Sequence, residues 1–210
     1  MMGKNTKKKP FVLGINGSPH KEGTVIRLLN LTLKGARKAG AETKVIHLYE
    51  YRIEHETGLY SENPKKATMN SSFQDDMALI VPDVIRADAI VFGTPVYWAN
   101  MSGAMKDFID RLTPLEHDGF LLVGKLACVI AASKENEGGR ESAAMTLVSP
   151  LMQMGFLLPP GAVRWYPGTW TTTKGKTKSW AEEDSSKVGT HMVYLINLLR
   201  KHPIRWFDDS

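Results

Sequence analysis

The sequence predicts an α/β fold: a doubly wound sheet of five parallel strands in the order 2-1-3-4-5, with helices on both faces. Three observations predict it. Short apolar runs rich in Val and Ile recur along the chain, at 11–15, 44–48, 89–92 and 126–131. Such runs, apolar on both faces, are what buried parallel strands look like. Segments of helical periodicity separate them, and a strand–helix–strand order gives right-handed crossovers. A length of 210 residues suits one domain with a substantial core.

The elements follow in order. After the first run, Val25, Leu28, Leu29, Thr32, Ala36 and Ala39 fall at helical spacing, and Gly40 is placed to stop that helix. Behind the third run, Met105, Phe108, Ile109 and Leu112 make a second apolar stripe, with Ser102 as its N-cap. A third stripe is Ala143, Ala144, Leu147, Leu151 and Met154, in which Pro150 should produce a kink. Val188, Met192, Leu195, Ile196 and Leu199 form the last. A weaker fifth strand is expected near 156–165; Pro159 and Pro160 require it to be an edge strand or to begin late.

The domain plan is a basic disordered tail at 1–9, one domain over 10–202 and a C-terminal tail at 203–210. Two connections, about 49–72 and 166–179, are too long for simple turns and carry aromatics, which points to lids or subunit contacts. There are no internal repeats.

The net charge of +5 raises the possibility of a nucleic-acid partner. Its distribution opposes that. Lys4, Lys7, Lys8 and Lys9 stand before the first strand, and residues 11–210 hold 23 basic and 22 acidic side chains. A second basic run, Lys174, Lys176 and Lys178, reads as a solvated loop. No apolar run reaches the roughly 18 residues of a membrane span, and no signal peptide is evident. The single cysteine, Cys128, excludes an internal disulfide and suits a cytoplasmic setting.

In a doubly wound sheet, ligands bind beyond the C-terminal ends of the strands. Three loops lie there. The first, 16–24, joins a strand to a helix but lacks the lysine of a nucleotide-hydrolysing P-loop and the glycine spacing of a dinucleotide fingerprint. It offers the hydroxyls of Ser18 and Thr24 and the amides of a helix N-terminus. These suit either a phosphate monoester that is gripped and never transferred, or an ordinary hydroxyl-rich turn. In the second, 93–111, Pro95 ends a strand. Val96, Tyr97 and Trp98 then set an apolar, aromatic surface at the sheet edge, with Asn100 and Ser102 to meet the rim of a planar ring. The competing role for those aromatics is packing or subunit contact. In the third, 132–142, Ser133 and Asn136 are polar, and Gly138 and Gly139 permit close backbone approach.

"GINGSPHKEGT" and "TPVYWANMSGAMKDFIDR", in that order, resemble the NADPH-dependent FMN reductase family of flavodoxin-like proteins. The similarity is greatest to its multimeric flavin reductase and iron–sulfur flavoprotein branch, and extends loosely over residues 10–200. The resemblance implies bound FMN. Ser18, His20, Gly23, Thr24 and Val25 would surround the phosphate. Pro95, Val96, Tyr97, Trp98, Asn100 and Met101 would line the flavin ring, with Ser133, Gly138 and Gly139 approaching from the third loop. It also implies NADPH or NADH as co-substrate, a small-molecule electron acceptor, and a homodimer or homotetramer.

The chain departs from that pattern. His20 stands where many relatives have arginine, with Lys21 available to compensate. Thr24 and Val25 replace an asparagine and a threonine. Where iron–sulfur flavoproteins carry a compact cysteine cluster, this chain has no cysteine, which excludes a thiolate-ligated iron–sulfur cluster. His47 and His55, with no compact second pair, make a poor metal site, and Cys128 reads as an inert core thiol.

The expected activity is an FMN-dependent NAD(P)H oxidoreductase passing a hydride through the flavin to a quinone, free flavin, nitro or azo compound, or metal ion. The flavin carries the chemistry, so no catalytic acid, base or nucleophile is named. The alternatives are a flavodoxin-like electron carrier, whose usual acidic docking surface this chain lacks, and a flavin-free structural or regulatory relative.

Overall fold

The computed structural model describes residues 8–57, 74–117, 119–133, 139–167 and 180–202. β1 (Phe11–Asn16) leads through the first loop to α1 (Thr24–Lys38), and β2 (Glu42–His47) ends in a 3-10 turn, Leu48–Glu50. There follow α2 (Met77–Arg86), β3 (Ala89–Pro95), α3 (Gly103–Asp110), α4 (Thr113–His117) and β4 (Leu126–Ser133). α5 (Arg140–Gln153), β5 (Val163–Pro167) and α6 (Trp180–Lys201) complete the chain. The five strands are parallel and ordered β2-β1-β3-β4-β5. This is the flavodoxin-like arrangement the sequence predicts.

Side chains alternate across the sheet with the period of two that a strand imposes. Phe11, Leu13 and Ile15 of β1, Ile90 and Phe92 of β3, and Ala127 and Val129 of β4 face one core, which α2, α3 and α5 cover with Ile80, Phe108 and Leu147. Val12, Val91, Cys128 and Ile130 face the other, closed by Leu28, Leu29 and Leu33 of α1 and by Val188, Met192 and Ile196 of α6. Both faces are dry, which is why these runs read as continuously apolar.

α1 and α6 approach each other closely. A Cβ placed on Gly35 would overlap the Ser186 carbonyl oxygen, and one on Gly189 would overlap the Thr32 carbonyl oxygen. Only glycine lets two helix backbones come this near. Thr190 Oγ1 adds hydrogen bonds to the Gly35 and Ser186 carbonyls, each 3.2 Å.

Several boundaries differ from expectation, each with a local cause. β2 covers residues 42–47, and Leu48 begins the 3-10 turn. The fifth strand is an edge strand and also begins late. Leu157 makes an isolated parallel bridge with Leu126, Pro159 and Pro160 carry the chain off the ladder, and pairing resumes at Val163. α5 runs on through Pro150, where a kink is expected, and ends three residues beyond it; the ring removes the N–H that would otherwise bond the carbonyl one turn back. Ser102 caps α3 as expected, and Gly40 takes a left-handed φ of 97° just past α1. Of the expected tails and long connections, residues 1–7, 58–73, 168–179 and 203–210 lie outside the described residues. Lys8 is described, and its carbonyl accepts from Arg200 Nη1 at 2.5 Å.

Candidate functional site

Three loops converge beyond the C-terminal ends of β1, β3 and β4, and named contacts tie them together. Loop one is held by Asn16, the last residue of β1, fully buried. Its Oδ1 accepts from Ser18 N (3.2 Å), and its Nδ2 donates to the Ser18 carbonyl (3.2 Å) and lies 3.0 Å from His47 Nδ1. The Ser18 hydroxyl accepts from His20 N at 3.2 Å. Gly17 N donates to the Gly93 carbonyl at 2.8 Å, fastening loop one to β3.

Loop one delivers the chain to the N-terminus of α1. Gly23 is the N-cap and has no side chain with which to cap the terminus, and no acidic residue stands in its first turn. The first N–H groups of a helix lack internal acceptors and carry the positive end of the helix dipole. This terminus therefore has the chemistry of an anion site. Thr24 opens the helix, half-buried, and His20 is exposed. Val25 is 3% exposed and, as its place in the apolar stripe of α1 requires, packs its side chain into the core over Gly93, which leaves its amide for the loop. Lys21, expected to supply charge, is paired with Glu50, and that hydrogen bond holds the Glu50 carboxyl below its usual range.

Loop two is a tight hairpin. Tyr97 and Asn100 exchange two backbone hydrogen bonds of 3.0 Å, with Trp98 at φ 51° and Ala99 at φ 59° between them. Two central residues in the left-handed region define a type I′ turn, which favours Gly, Asn and Asp; here Trp and Ala adopt it and bear the strain. The turn thrusts Trp98 wholly into solvent (relative exposure 101%) and leaves Tyr97 exposed. Neither aromatic packs beneath loop one. Behind them, Pro95 closes β3 and Val96 N donates to the Ala132 carbonyl at 3.1 Å, joining loop two to β4. Asn100 Oδ1 accepts from Met101 N at 2.8 Å. Met101 is buried in the core, so its backbone alone faces outward.

Ser102 keeps its expected place as N-cap of α3 but not the contact expected with a ring edge. It is fully buried; its Oγ donates to the Gly17 carbonyl at 2.7 Å and accepts from Met105 N at 3.3 Å, and its own N–H donates to Thr94 Oγ1 at 2.9 Å. It stitches loops one and two together and caps α3, and does not reach toward a ring edge.

Loop three starts at Ser133 and returns at Gly139; Asn136 and Gly138 lie outside the described residues. Gly139 is the N-cap of α5 at φ 93°, and a Cβ there would stand 2.8 Å from the Ala99 Cβ. That backbone contact sets loop three against the hairpin tip. Arg140 Nη1 donates to Ser133 Oγ at 3.3 Å. Tyr49 flanks the cluster, its hydroxyl pushed above the usual tyrosine range by burial, then by the charges of Tyr97 and Asp107.

Asn16, Thr94 and Arg140 escaped the sequence reading, which weighed His47 only as a metal ligand. For Asn16 and Thr94 the only sequence signal is a polar residue at the C-terminal end of an apolar strand. A cleft of about 660 Å³ lies elsewhere, between α1 and α6, lined by residues such as Lys34, Lys38 and Lys187. It contains none of the three loops, and loop convergence at the sheet edge locates the site better than open volume does. Among the described residues no cluster of His, Cys, Asp or Glu could hold a metal, and no helix is long and apolar enough to cross a membrane. Cys128 is fully buried in β4, and burial pushes its thiol up to about 12.

Fold and loops together define a flavodoxin-like protein with an acid-free helix N-terminus and an aromatic hairpin on one sheet edge. The family model described as NADPH-dependent FMN reductase matches residues 10–167, and the chain belongs to that family of oxidoreductases. An iron–sulfur flavoprotein of Archaeoglobus fulgidus is 34% identical over 137 residues, which is 65% of this chain and 66% of that relative's length. An iron–sulfur flavoprotein of Methanocaldococcus jannaschii is 28% identical over 94% of this chain and 95% of its own. Among solved structures, RosB with bound 8-demethyl-8-formylriboflavin-5'-phosphate shares the fold with a TM-score of 0.72 at 17% identity, covering 93% of this chain and 82% of that one.

Proposed function

We propose that the protein is an FMN-dependent NAD(P)H oxidoreductase that passes a hydride from NADPH or NADH through bound FMN to a small acceptor: a quinone, free flavin, nitro or azo compound, or a metal ion. One observation carries the reading. The glycine-started, acid-free N-terminus of α1 and the exposed hairpin of Tyr97 and Trp98 share one sheet edge, and the Ser102–Gly17 hydrogen bond couples them. FMN has the same two ends, a phosphate and a planar ring.

In this reading the amides of Thr24 and Val25 and the Ser18 hydroxyl hold the phosphate, with His20 at the rim. Pro95, Val96, Tyr97, Asn100 and the Met101 backbone line the ring, and Ser133 and Gly139 close the far side. FMN supplies the hydride chemistry; the chain's residues bind it, orient it and limit access of water. With one cysteine, the protein would work without an iron–sulfur cluster.

Trp98 is too large and apolar to stand in water without consequence. A neighbouring copy covering it, in a homodimer or homotetramer, would desolvate the ring site. Light scattering would test that: a monomer at working concentration contradicts it.

The decisive experiment is cofactor extraction followed by NADH and NADPH turnover against a panel of acceptors. A yellow protein that oxidises either nucleotide with a small acceptor supports the reading. A flavin-loaded protein with no turnover points to an electron carrier, and a colourless one that cannot be reconstituted with FMN to a flavin-free role.

A further inference from the structure

His47 lies outside every motif that carries the functional reading, yet it touches the residue that shapes loop one. The parallel register of β1 and β2 sets Asn16 beside His47. Asn16 is fully buried, so its carboxamide has no recourse to solvent. The Ser18 N–H is a donor whatever surrounds it, and it points at Asn16 Oδ1, 3.2 Å away. That fixes which end of the carboxamide is oxygen. Nδ2, which can only donate, then faces the Ser18 carbonyl at 3.2 Å and His47 Nδ1 at 3.0 Å. His47 Nδ1 must therefore be an acceptor. The ring is neutral and carries its proton on Nε2.

We propose that neutral His47 is a positioning residue for the phosphate loop, and that its protonation loosens the loop's hold on the FMN phosphate. This deepens the flavin reading above and rests on it. Protonation would place an N–H on Nδ1, opposite the N–H of Asn16. A hydrogen bond becomes a donor–donor contact. Either Asn16 rotates, giving up both of its bonds to Ser18, or His47 swings away and leaves a buried donor unpaired. Both outcomes release the turn that aims the Ser18 hydroxyl and delivers the chain to the α1 terminus.

The charged groups around His47 leave this logic intact. Glu50, in the 3-10 turn after β2, lies near enough to feel a charge placed on His47, and Lys21 from loop one pairs with Glu50. His20 is exposed in loop one. α1 brings no acidic residue in its first turn. None of these is hydrogen-bonded to Asn16, so none replaces the acceptor lost.

The test is the dissociation constant of FMN, read by quenching of flavin fluorescence on the full chain stripped of cofactor, from about pH 8.5 to about pH 5, the span over which histidines exchange protons. Wild type is compared with His47→Asn, whose Oδ1 restores an acceptor where Nδ1 stood and does not titrate. Protonation of the FMN phosphate itself affects both proteins alike. Across that span the wild type should lose about tenfold more affinity than His47→Asn, the effect of one buried donor left unpaired. Superimposable profiles overturn the proposal, as does a wild type that binds more tightly at low pH. A protein that binds no FMN even at the upper pH removes the flavin reading itself. A second measurement needs no variant: ¹⁵N spectra of the His47 ring at about pH 8 should show Nδ1 bare and Nε2 protonated. A proton on Nδ1 overturns the assignment.

Discussion

Ser102 Oγ donates to the Gly17 carbonyl at 2.7 Å, a bond between residues 85 apart in sequence that fixes loop one against the start of α3. The same oxygen accepts from Met105 N and so caps the helix. Ser102→Ala removes both functions and leaves a buried carbonyl and a buried N–H without partners. The expected loss is about 2–3 kcal/mol of stability, seen as a lower urea midpoint at unchanged m-value. FMN affinity should fall with it, because the two halves of the site lose their common fastening. A variant with wild-type stability and affinity would contradict this role.

Thr24→Glu separates binding from folding. A carboxylate in the first turn of a helix is favourable for the helix, so the fold should persist with its thermal midpoint close to wild type. The same charge would oppose a phosphate at the α1 terminus. Two like charges about 4 Å apart near a protein surface repel by roughly 4 kcal/mol, so FMN should bind at least about a hundredfold more weakly. Full retention of stoichiometric FMN by the purified variant would refute the phosphate assignment.

The Gly35–Ser186 crossing gives a purely structural prediction. A methyl group at residue 35 meets the Ser186 backbone, which cannot turn aside as a side chain would. Overpacking of this kind costs about 1–3 kcal/mol when side chains can adjust, so Gly35→Ala should cost at least about 3 kcal/mol. Gly35→Ala also gains helix propensity of about 1 kcal/mol, which works against the predicted loss. Thermal denaturation decides the sign: a variant more stable than wild type would mean that α1 and α6 can separate easily. Enough fold should remain at low temperature to show unchanged FMN affinity, since the contact lies away from the three loops.

Much of this was legible in the sequence because one periodicity dominates it. Apolar runs followed by Gly, Pro, Ser and aromatic residues locate both strand ends and ligand loops, and all but Asn136 and Gly138 of the candidate loop residues are among those described. The direction each loop residue faces was not legible. Met101 sends its side chain into the core, and Ser102 turns inward to Gly17, because those orientations depend on where α1 and α3 settle. The left-handed turn at Trp98 and Ala99 also runs against residue preference, so no local signal announces it. The Asn16–His47 contact needs the register of two strands and could not be read from either alone.

His55 and Asp107 form a pH-dependent link between the segment after β2 and α3. His55 Nδ1 lies 2.7 Å from Asp107 Oδ1, and the hydrogen bond and charge of Asp107 hold the His55 pKa above its usual 6.5. A raised folded-state value means that the link stabilises fully below about pH 6.5 and is lost as pH rises through the folded value. Both partners touch solvent, so salt should weaken the effect. Urea stability of wild type minus that of Asp107→Asn should therefore be larger at pH 6 than at pH 9. A difference that grows toward high pH would contradict the pairing.

Arg111 and Asp75 are the buried counterpart of that link. Solvent reaches 5% of the Arg111 side chain and 2% of the Asp75 side chain. Asp75 also accepts from the main-chain N–H groups of Glu54 and Met77, and Arg111 Nη1 donates to the Glu54 carbonyl at 3.0 Å. The pair thus gathers the segment after β2, the start of α2 and the end of α3 at one point. Burial pushes the Asp75 carboxyl up, but the Arg111 hydrogen bond, the two N–H groups and the Arg111 charge outweigh it and hold the value below the ordinary one. A depressed folded-state value contributes stability above the unfolded pKa and loses it as pH falls through the folded one. Wild type should therefore lose part of its stability on acidification below about pH 4. Arg111→Ala leaves an uncompensated buried carboxylate and should cost about 3–5 kcal/mol at neutral pH. Arg111→Ala combined with Asp75→Asn should recover part of that loss, because no charge is then stranded. If the double variant is as unstable as the sum of the single ones, the residues act independently and the ion pair is not the fastening.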